Sequence, residues 1–315
     1  MRKILVTGAL GQIGTELSLT LCEKYGIENV IITDIKLNNG EFDPQYQTFT
    51  LDVLNADQIA EIVKKYEIDT IYHLAALLSA VAEYKPQAAW NINMNGLFNI
   101  LEVAREYNCS VFTPSSIGAF GLSTPKDHTP QDTIQRPNTM YGVTKVSGEL
   151  LCDYYYQRFG VDTRGVRYPG IISNKTLPGG GTTDYAVDIY YEALKKKEYC
   201  CFLKGDTKLD MMYMPDAITA AIDLMEANPE VLKHRNAFNV TSMSITPEGI
   251  ANSIKTHIPD FKISYKIDPI RQAIADSWPN SLDDSLAKEE WGWQPEYDLM
   301  KMTGDMLHQL SKKIK

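Results

Sequence analysis

A chain of 315 residues, 44% hydrophobic and 23% charged, has the composition of a globular protein of one large or two closely joined domains. Its 31 basic residues against 40 acidic ones leave a net charge of −9, which argues against a nucleic-acid-binding face. Five cysteines (Cys22, Cys109, Cys152, Cys200 and Cys201), with no CxxC pair and no histidine cluster, speak against a disulfide framework or structural zinc and for a reducing cytoplasm. Met1 to Val6 imitates the start of a secretion signal, but Thr7 and Gly8 end its apolar run too early. No run approaches the ~18 apolar residues of a membrane span, so the expectation is a soluble cytoplasmic protein.

In chain order, residues 2–7 are a short β-branched apolar run, the pattern of a buried parallel strand. Gly8-Ala9-Leu10-Gly11-Gln12-Ile13-Gly14 follows, and a helical pattern continues to about Tyr25. Strand, glycine-rich turn and helix in that order point to a dinucleotide site. Gly8 permits a tight turn, Gly11 lets backbone N–H groups approach a pyrophosphate, and Gly14 lets the helix pack close on the strand. The helix N-terminus then offers its positive end to the phosphates. The second strand, Asn29 to Thr33, ends in Asp34, an acid placed to accept hydrogen bonds from a ribose and to repel a 2′-phosphate. NAD is therefore expected over NADP, with Lys36 as a cation close by.

A third strand (46–51) leads into Asp52-Val53 and a helix from about Asn55 to Tyr66. A fourth strand (69–72) leads into His73-Leu74-Ala75-Ala76, where small residues let the backbone pass close to a ligand; His73 reads as a satisfied loop histidine. A long helix over about 87–107 and a fifth strand, 110–114, bring the chain to Ser115-Ser116. Tyr141 and Lys145 then sit four apart on one helical face. An ammonium beside a phenol favours the phenolate, which can take a proton from a substrate hydroxyl. A sixth strand, 162–168, closes this half with Arg167-Tyr168-Pro169-Gly170. Alternating strands and helices predict an α/β fold, a doubly wound parallel (Rossmann) sheet whose ligands lie at the carboxyl ends of its strands.

After Gly170 the rhythm breaks. Residues 178–183 are a glycine-rich loop, read as a lid over the substrate, and a helix follows from about Asp184 to Lys197, ending in the basic run Lys195-Lys196-Lys197. Met211, Met212 and Met214 read as core fillers. A helix over 215–227 and a strand over 237–240 should return to the first domain. Trp291 and Trp293 read as core, and Trp278 as a border of the substrate pocket. The expected division is a dinucleotide-binding domain over 1–170, rejoined by about 213–242, and a smaller C-terminal substrate-binding region over 171–212 and 243–315.

These motifs resemble, in order and spacing over nearly the whole chain, those of the extended short-chain dehydrogenase/reductase family: Gly8-x-x-Gly11-x-x-Gly14, Asp34, Asp52-Val53, Ala75-Ala76, Asn93, Ser116 and Tyr141-x-x-x-Lys145. The resemblance implies that Tyr141 is the base, Lys145 holds the nicotinamide ribose, and Ser116, 25 residues before Tyr141, donates to the substrate oxygen; Ser115 is the alternative. It implies cofactor contacts from Gln12, Ile13, Leu74 and Tyr168 besides the motif residues. Residues 114–121, 177–186 and 275–279 are similar to the L-threonine 3-dehydrogenase branch of that family. This implies NAD⁺-dependent, metal-free oxidation of L-threonine to 2-amino-3-oxobutyrate, with Ser79, Thr182 and Asp184 close to the amino-acid head group, and a homodimer formed through helices 87–107 and 140–158. The alternative is a nucleotide-sugar epimerase or dehydratase of the same family. Against it, Leu209 stands where such enzymes place an arginine for the substrate pyrophosphate, and Arg271 alone would neutralise a diphosphate poorly.

Overall fold

The computed structural model describes residues 1–37, 42–175 and 181–314. Pro178 to Gly180, half of the loop read as a lid over 178–183, lie outside the described residues. The first half runs β1 (Ile4–Thr7), α1 (Gln12–Tyr25), β2 (Val30–Asp34), β3 (Gln47–Thr50), α2 (Ala56–Tyr66), β4 (Thr70–His73), α3 (Ser79–Tyr84), α4 (Pro86–Trp90), α5 (Gly96–Tyr107), β5 (Ser110–Phe112), β6 (Ser115–Ser116), α6 (Met140–Phe159), β7 (Thr163–Arg164) and β8 (Val166–Tyr168). The second runs β9 (Gly170–Ile172), α7 (Tyr185–Lys196), β10 (Glu198–Cys201), β11 (Leu209–Tyr213), α8 (Met214–Glu226), β12 (Phe238–Asn239), β13 (Met243–Ile245), α9 (Pro247–Lys255), β14 (Lys262–Tyr265), α10 (Pro269–Ala275), α11 (Ser285–Trp291) and α12 (Leu299–Lys313).

Six strands pair in parallel in the order β3-β2-β1-β4-β5-β7. The order reverses between β1 and β4, so this is a doubly wound Rossmann sheet and a crevice opens at the carboxyl ends of those two strands. Because strand side chains alternate between faces, each face buries its own set. Leu5, Ile31, Ile71 and Val111 pack with Ile59, Leu97, Ile100 and Tyr155 of α2, α5 and α6. Ile4, Val6, Val30 and Ile32 pack with Leu17 and Leu21 of α1 and with Ile218 and Leu224 of α8. Each fully buried side chain of this size contributes ~1.5–3 kcal/mol. Thus α8 comes from the second half of the chain, as does β12, which pairs in parallel with β8. A third core lies around β9, β11 and β13, where Met211 and Ile245 meet Tyr190, Ile250 and Met306 of α7, α9 and α12.

Three local features depart from the sequence pattern. The strand expected over 162–168 is broken at Gly165, where a Cβ would lie 2.3 Å from the Thr113 carbonyl oxygen. β7 stays in the six-stranded sheet, while β8 moves out to pair with β6 and β12. The helix expected over 87–107 is continuous but carries one π-helical segment, Asn91–Asn95, between α4 and α5. His73 is the last residue of β4 rather than a loop residue, and its Nδ1 hydrogen-bonds Thr7 Oγ1 at 2.8 Å. Cys22, Cys109, Cys152 and Cys201 are buried free thiols and Cys200 is exposed. Among the described residues no helix is long and apolar enough to cross a membrane, and no group of three or more side chains could hold a metal.

Candidate active site

The site grows out of the N-terminus of α6. Thr139 caps that helix, its Oγ1 accepting from Gly142 N at 3.1 Å, and Gly160, left-handed at φ 72°, ends it. Tyr141 lies in the first turn and Lys145 one turn on, with its ammonium 5.4 Å from the centre of the Tyr141 ring. The ammonium also donates to the Pro114 carbonyl at 2.6 Å. Gly142 allows this end of the helix to meet the 116–118 segment, since a Cβ there would lie 2.3 Å from Gly118 O. Gly118 in turn sits on the phenol: its missing Cβ would come within 3.1 Å of Tyr141 Cδ1. Ser116 Oγ accepts from Gly118 N at 3.1 Å, which leaves its hydroxyl proton to be given to a substrate oxygen. Ser115 and Ser116 both border the cleft, but the Ser115 hydroxyl donates to Glu149.

Around this trio lies a cleft of about 1130 Å³, walled on one side by Gly8, Gly11, Gln12, Ile13, Gly14, Leu74 and Ala76. Gly8 needs its freedom twice over: φ is 73°, and a Cβ would stand 2.6 Å from Ala75 N. A Cβ on Gly14 would strike Gly8 O at 2.3 Å. Gly11, at the N-cap of α1, has no side chain to bond the first-turn N–H groups, which stay available to a phosphate. Gln12 Nε2 is buried at this wall without a hydrogen-bond partner among the described residues. Asp34 ends β2 and ties the turn down, with Oδ2 accepting from Leu10 N at 3.1 Å and Oδ1 from Lys36 N at 3.0 Å. A glycine cradle, an uncapped helix start and an orphaned amide together fit a dinucleotide.

Not every residue singled out in the sequence borders this cleft. Ala75 and Asn93 line a smaller chamber that also borders Lys145. There Asn93 clasps Leu77 through both its backbone groups (2.8 and 3.2 Å) and donates to Thr144 Oγ1 at 3.0 Å, tying the 74–79 loop to α6. Asp52 accepts from Leu54 N at 2.9 Å, and Val53 is buried against Gly96. Tyr168 borders the cleft, but its hydroxyl donates to Ala217 O at 2.5 Å and burial raises its pKa. His73 closes the chamber; burial, reinforced by the Lys145 charge, lowers its pKa to about 3, so it stays neutral.

A second wall of the cleft brings together Ser79, the Thr182 and Asp184 pair, and Trp278, three segments far apart in the chain. Thr182 is 1% exposed and its hydroxyl has no hydrogen-bond partner among the described residues. Among the described residues lining the cleft, Lys145 is the only cation. Leu209 is fully buried in the third core, and the Arg271 guanidinium stacks on Phe202 at 4.3 Å. The sequence reading missed the apolar lining supplied by Leu78, Ile117 and Ile171, and it missed Glu149. The signal for Glu149 was there: a carboxylate four residues beyond Lys145, on the face that carries Tyr141.

Fold and site together define an NAD-dependent oxidoreductase on a doubly wound sheet. The chain belongs to the NAD dependent epimerase/dehydratase family, whose model matches residues 4–241. Its structure resembles that of an L-threonine dehydrogenase from Clostridium difficile, with 62% identity over 99% of this chain and 98% of the other and a TM-score of 0.98. An L-threonine dehydrogenase from Phytophthora infestans is 50% identical over 99% of both chains, with a TM-score of 0.95. A curated relative, an uncharacterized epimerase/dehydratase of Staphylococcus saprophyticus, is 55% identical over 100% of this chain and 99% of its own.

Proposed function

We propose that the chain oxidises the C3 hydroxyl of L-threonine with NAD⁺, giving 2-amino-3-oxobutyrate and NADH. The observation that carries this reading is the lining of the cleft: Ser116 and Tyr141 on one side, Thr182 and Asp184 on the other, and no guanidinium among the described lining residues. A compact zwitterion needs a small polar clamp. A nucleotide diphosphate needs cations, preferably a bidentate arginine, and a buried dianion without them costs several kcal/mol. The likeness to threonine dehydrogenases adds support.

In this reading Ser116 donates to the C3 oxygen and Tyr141 takes its proton. Lys145 sets a positive charge beside the phenol and reaches the nicotinamide ribose, while Gly11, Gln12 and the first turn of α1 hold the pyrophosphate and Asp34 the adenosine ribose. Ser79, Thr182, Asp184 and Trp278 orient the amino acid. Bound NAD⁺ supplies the hydride acceptor, so loss of a proton to Tyr141 and of the C3 hydride leaves the 3-keto acid. We further propose a cytoplasmic homodimer: Trp90, Phe98, Leu150 and Tyr154 leave apolar surface exposed on α4, α5 and α6.

The test follows absorbance at 340 nm over a panel of hydroxy-amino acids and UDP-sugars, with and without EDTA. Threonine-dependent, EDTA-insensitive NADH formation is expected, without interconversion of UDP-glucose and UDP-galactose. Epimerisation without threonine oxidation would overturn the reading.

A further inference from the structure

One turn beyond Lys145, Glu149 is 6% exposed, on a face of α6 that carries Tyr141 and Lys145 at the same spacing. Its carboxylate is fully engaged. Oε1 accepts from the Ser115 hydroxyl and from Arg167 Nε at 3.0 Å; Oε2 accepts from Arg167 Nη2 at 2.8 Å and Gln135 Nε2 at 2.7 Å. Arg167, also 6% exposed, is fixed further by donating to Gln131 O at 2.7 Å and Asn239 Oδ1 at 3.1 Å. Arg167 faces Ser115 in the ladder between β6 and β8, as Tyr168 faces Ser116. So α6 grips the strand bearing Ser116 by two handles in succession: Lys145 on the Pro114 carbonyl, and Glu149 on the Ser115 hydroxyl. The two are not equivalent. Lys145 borders the open cleft as well as the inner chamber, whereas Glu149 borders the chamber alone.

We propose that Glu149, held by Arg167, is a positioning residue: through Ser115 it keeps Ser116 aimed at the substrate oxygen when the Lys145 ammonium leaves Pro114 for the cofactor. This rests on the roles given to Ser116 and Lys145 under the proposed function. A lost handle lets the strand shift while α6, and with it the cofactor contacts, stays in place. The effect therefore falls on kcat and spares NADH binding, a split that a merely structural ion pair would not produce.

The test is a double-mutant cycle of Ser115→Ala and Glu149→Met. Its readouts are kcat with threonine, normalised to NADH-binding sites titrated by fluorescence, the KM for NAD⁺, and Tm. S115A is expected to lower kcat ~10-fold, the worth of one hydrogen bond. NADH affinity should stay within about twofold, because one handle on the strand is lost and no cofactor contact with it. E149M should do the same, and S115A added to E149M should cost less than about twofold more, because both remove one interaction. If E149M does not fold, E149M/R167M, which removes the buried charge together with its partner, replaces it in the cycle. Wild-type kcat per site in S115A would overturn the proposal. So would losses that multiply in the double variant, since Ser115 would then act on the substrate by itself. A wild-type protein inactive with threonine overturns instead the substrate reading beneath it.

Discussion

The two walls of the cleft are made differently. The wall built on β1, β4 and α1 is assembled from neighbouring strand ends, and its Gly8 and Gly14 are fixed by backbone atoms less than 3 Å from where a Cβ would stand. The facing wall takes Ser79, Thr182, Asp184 and Trp278 from segments as much as 199 residues apart, and it keeps at least one buried hydroxyl unpartnered. A close-packed backbone wall suits a cofactor that every member of a large family must hold. A wall of borrowed side chains can be re-cut for a new substrate without disturbing the first. Under the proposed function, hold on the cofactor and choice of substrate are thus assigned to separate surfaces.

Substitutions on the two sides should fail in different ways. Tyr141→Phe stands between the walls and has the largest expected effect: turnover falls at least ~10²-fold, the usual worth of a general base. NADH affinity, measured by fluorescence titration, should hold. Near-normal turnover would remove Tyr141 from its role. Thr182→Val keeps the volume and deletes only the hydroxyl. The KM for threonine should rise ~10-fold while that for NAD⁺ does not. Tm should stay level or rise, because a buried hydroxyl without a partner is a liability in the free protein. An unchanged threonine KM would detach Thr182 from the substrate. Asp34→Gly should move the NADP/NAD ratio of kcat/KM upward by about tenfold, through loss of the carboxylate that repels a 2′-phosphate. Because Asp34 also holds Leu10 N, the value for NAD itself should fall. A fixed ratio would place Asp34 away from the ribose.

The effect on activity is smallest, but the contrast in sign is clearest, for two buried ionisable groups. Burial takes His73, on the cofactor side, from 6.5 down to about 3. It therefore favours folding above pH 6.5, and that contribution is lost as pH falls toward 3. Asp210, on β11 behind the other wall, accepts from Thr241 Oγ1 and Leu282 N and has the charge of Asp284 nearby; burial takes it from 3.8 up to about 7. Its contribution is present below pH 3.8 and is lost as pH rises to 7. Each amounts to a few kcal/mol, on the order of 1.4 kcal/mol per unit. In thermal melts from pH 4 to 8, His73→Asn should flatten the acid limb and Asp210→Asn the neutral one. Parallel curves for wild type and variant would refute the assignment.

The same contrast decides what could be read from sequence. The βαβ order, the glycine turn and the Tyr/Lys pair are local patterns, and the structure places their elements within a residue or two of expectation. Gly165 carries no such pattern: only the approach of Thr113, 52 residues away, explains why the strand breaks there. The π-helical segment at Asn91–Asn95, from which Asn93 bonds Leu77 and Thr144, is equally hidden. Ser115 and Ser116 could not be told apart by composition; a partner 34 residues on, Glu149, separates them. Trp278, read as a border of the substrate pocket, does line the cleft.

The distribution of sulfur has a practical consequence. Burial pushes the thiols of Cys22 and Cys201 up to about 11 and that of Cys109 up to about 12, and raises that of Cys152 as well. Thiols so protonated and enclosed are slow to alkylate. Cys200 alone meets solvent, beside Tyr199 and the C-terminal end of α7, and it is not among the residues that line the cleft. A native chain, without any cysteine engineering, therefore offers one address for a maleimide dye. A fluorophore tethered there could report motion of α7 and β10 during turnover while leaving the cleft unlabelled.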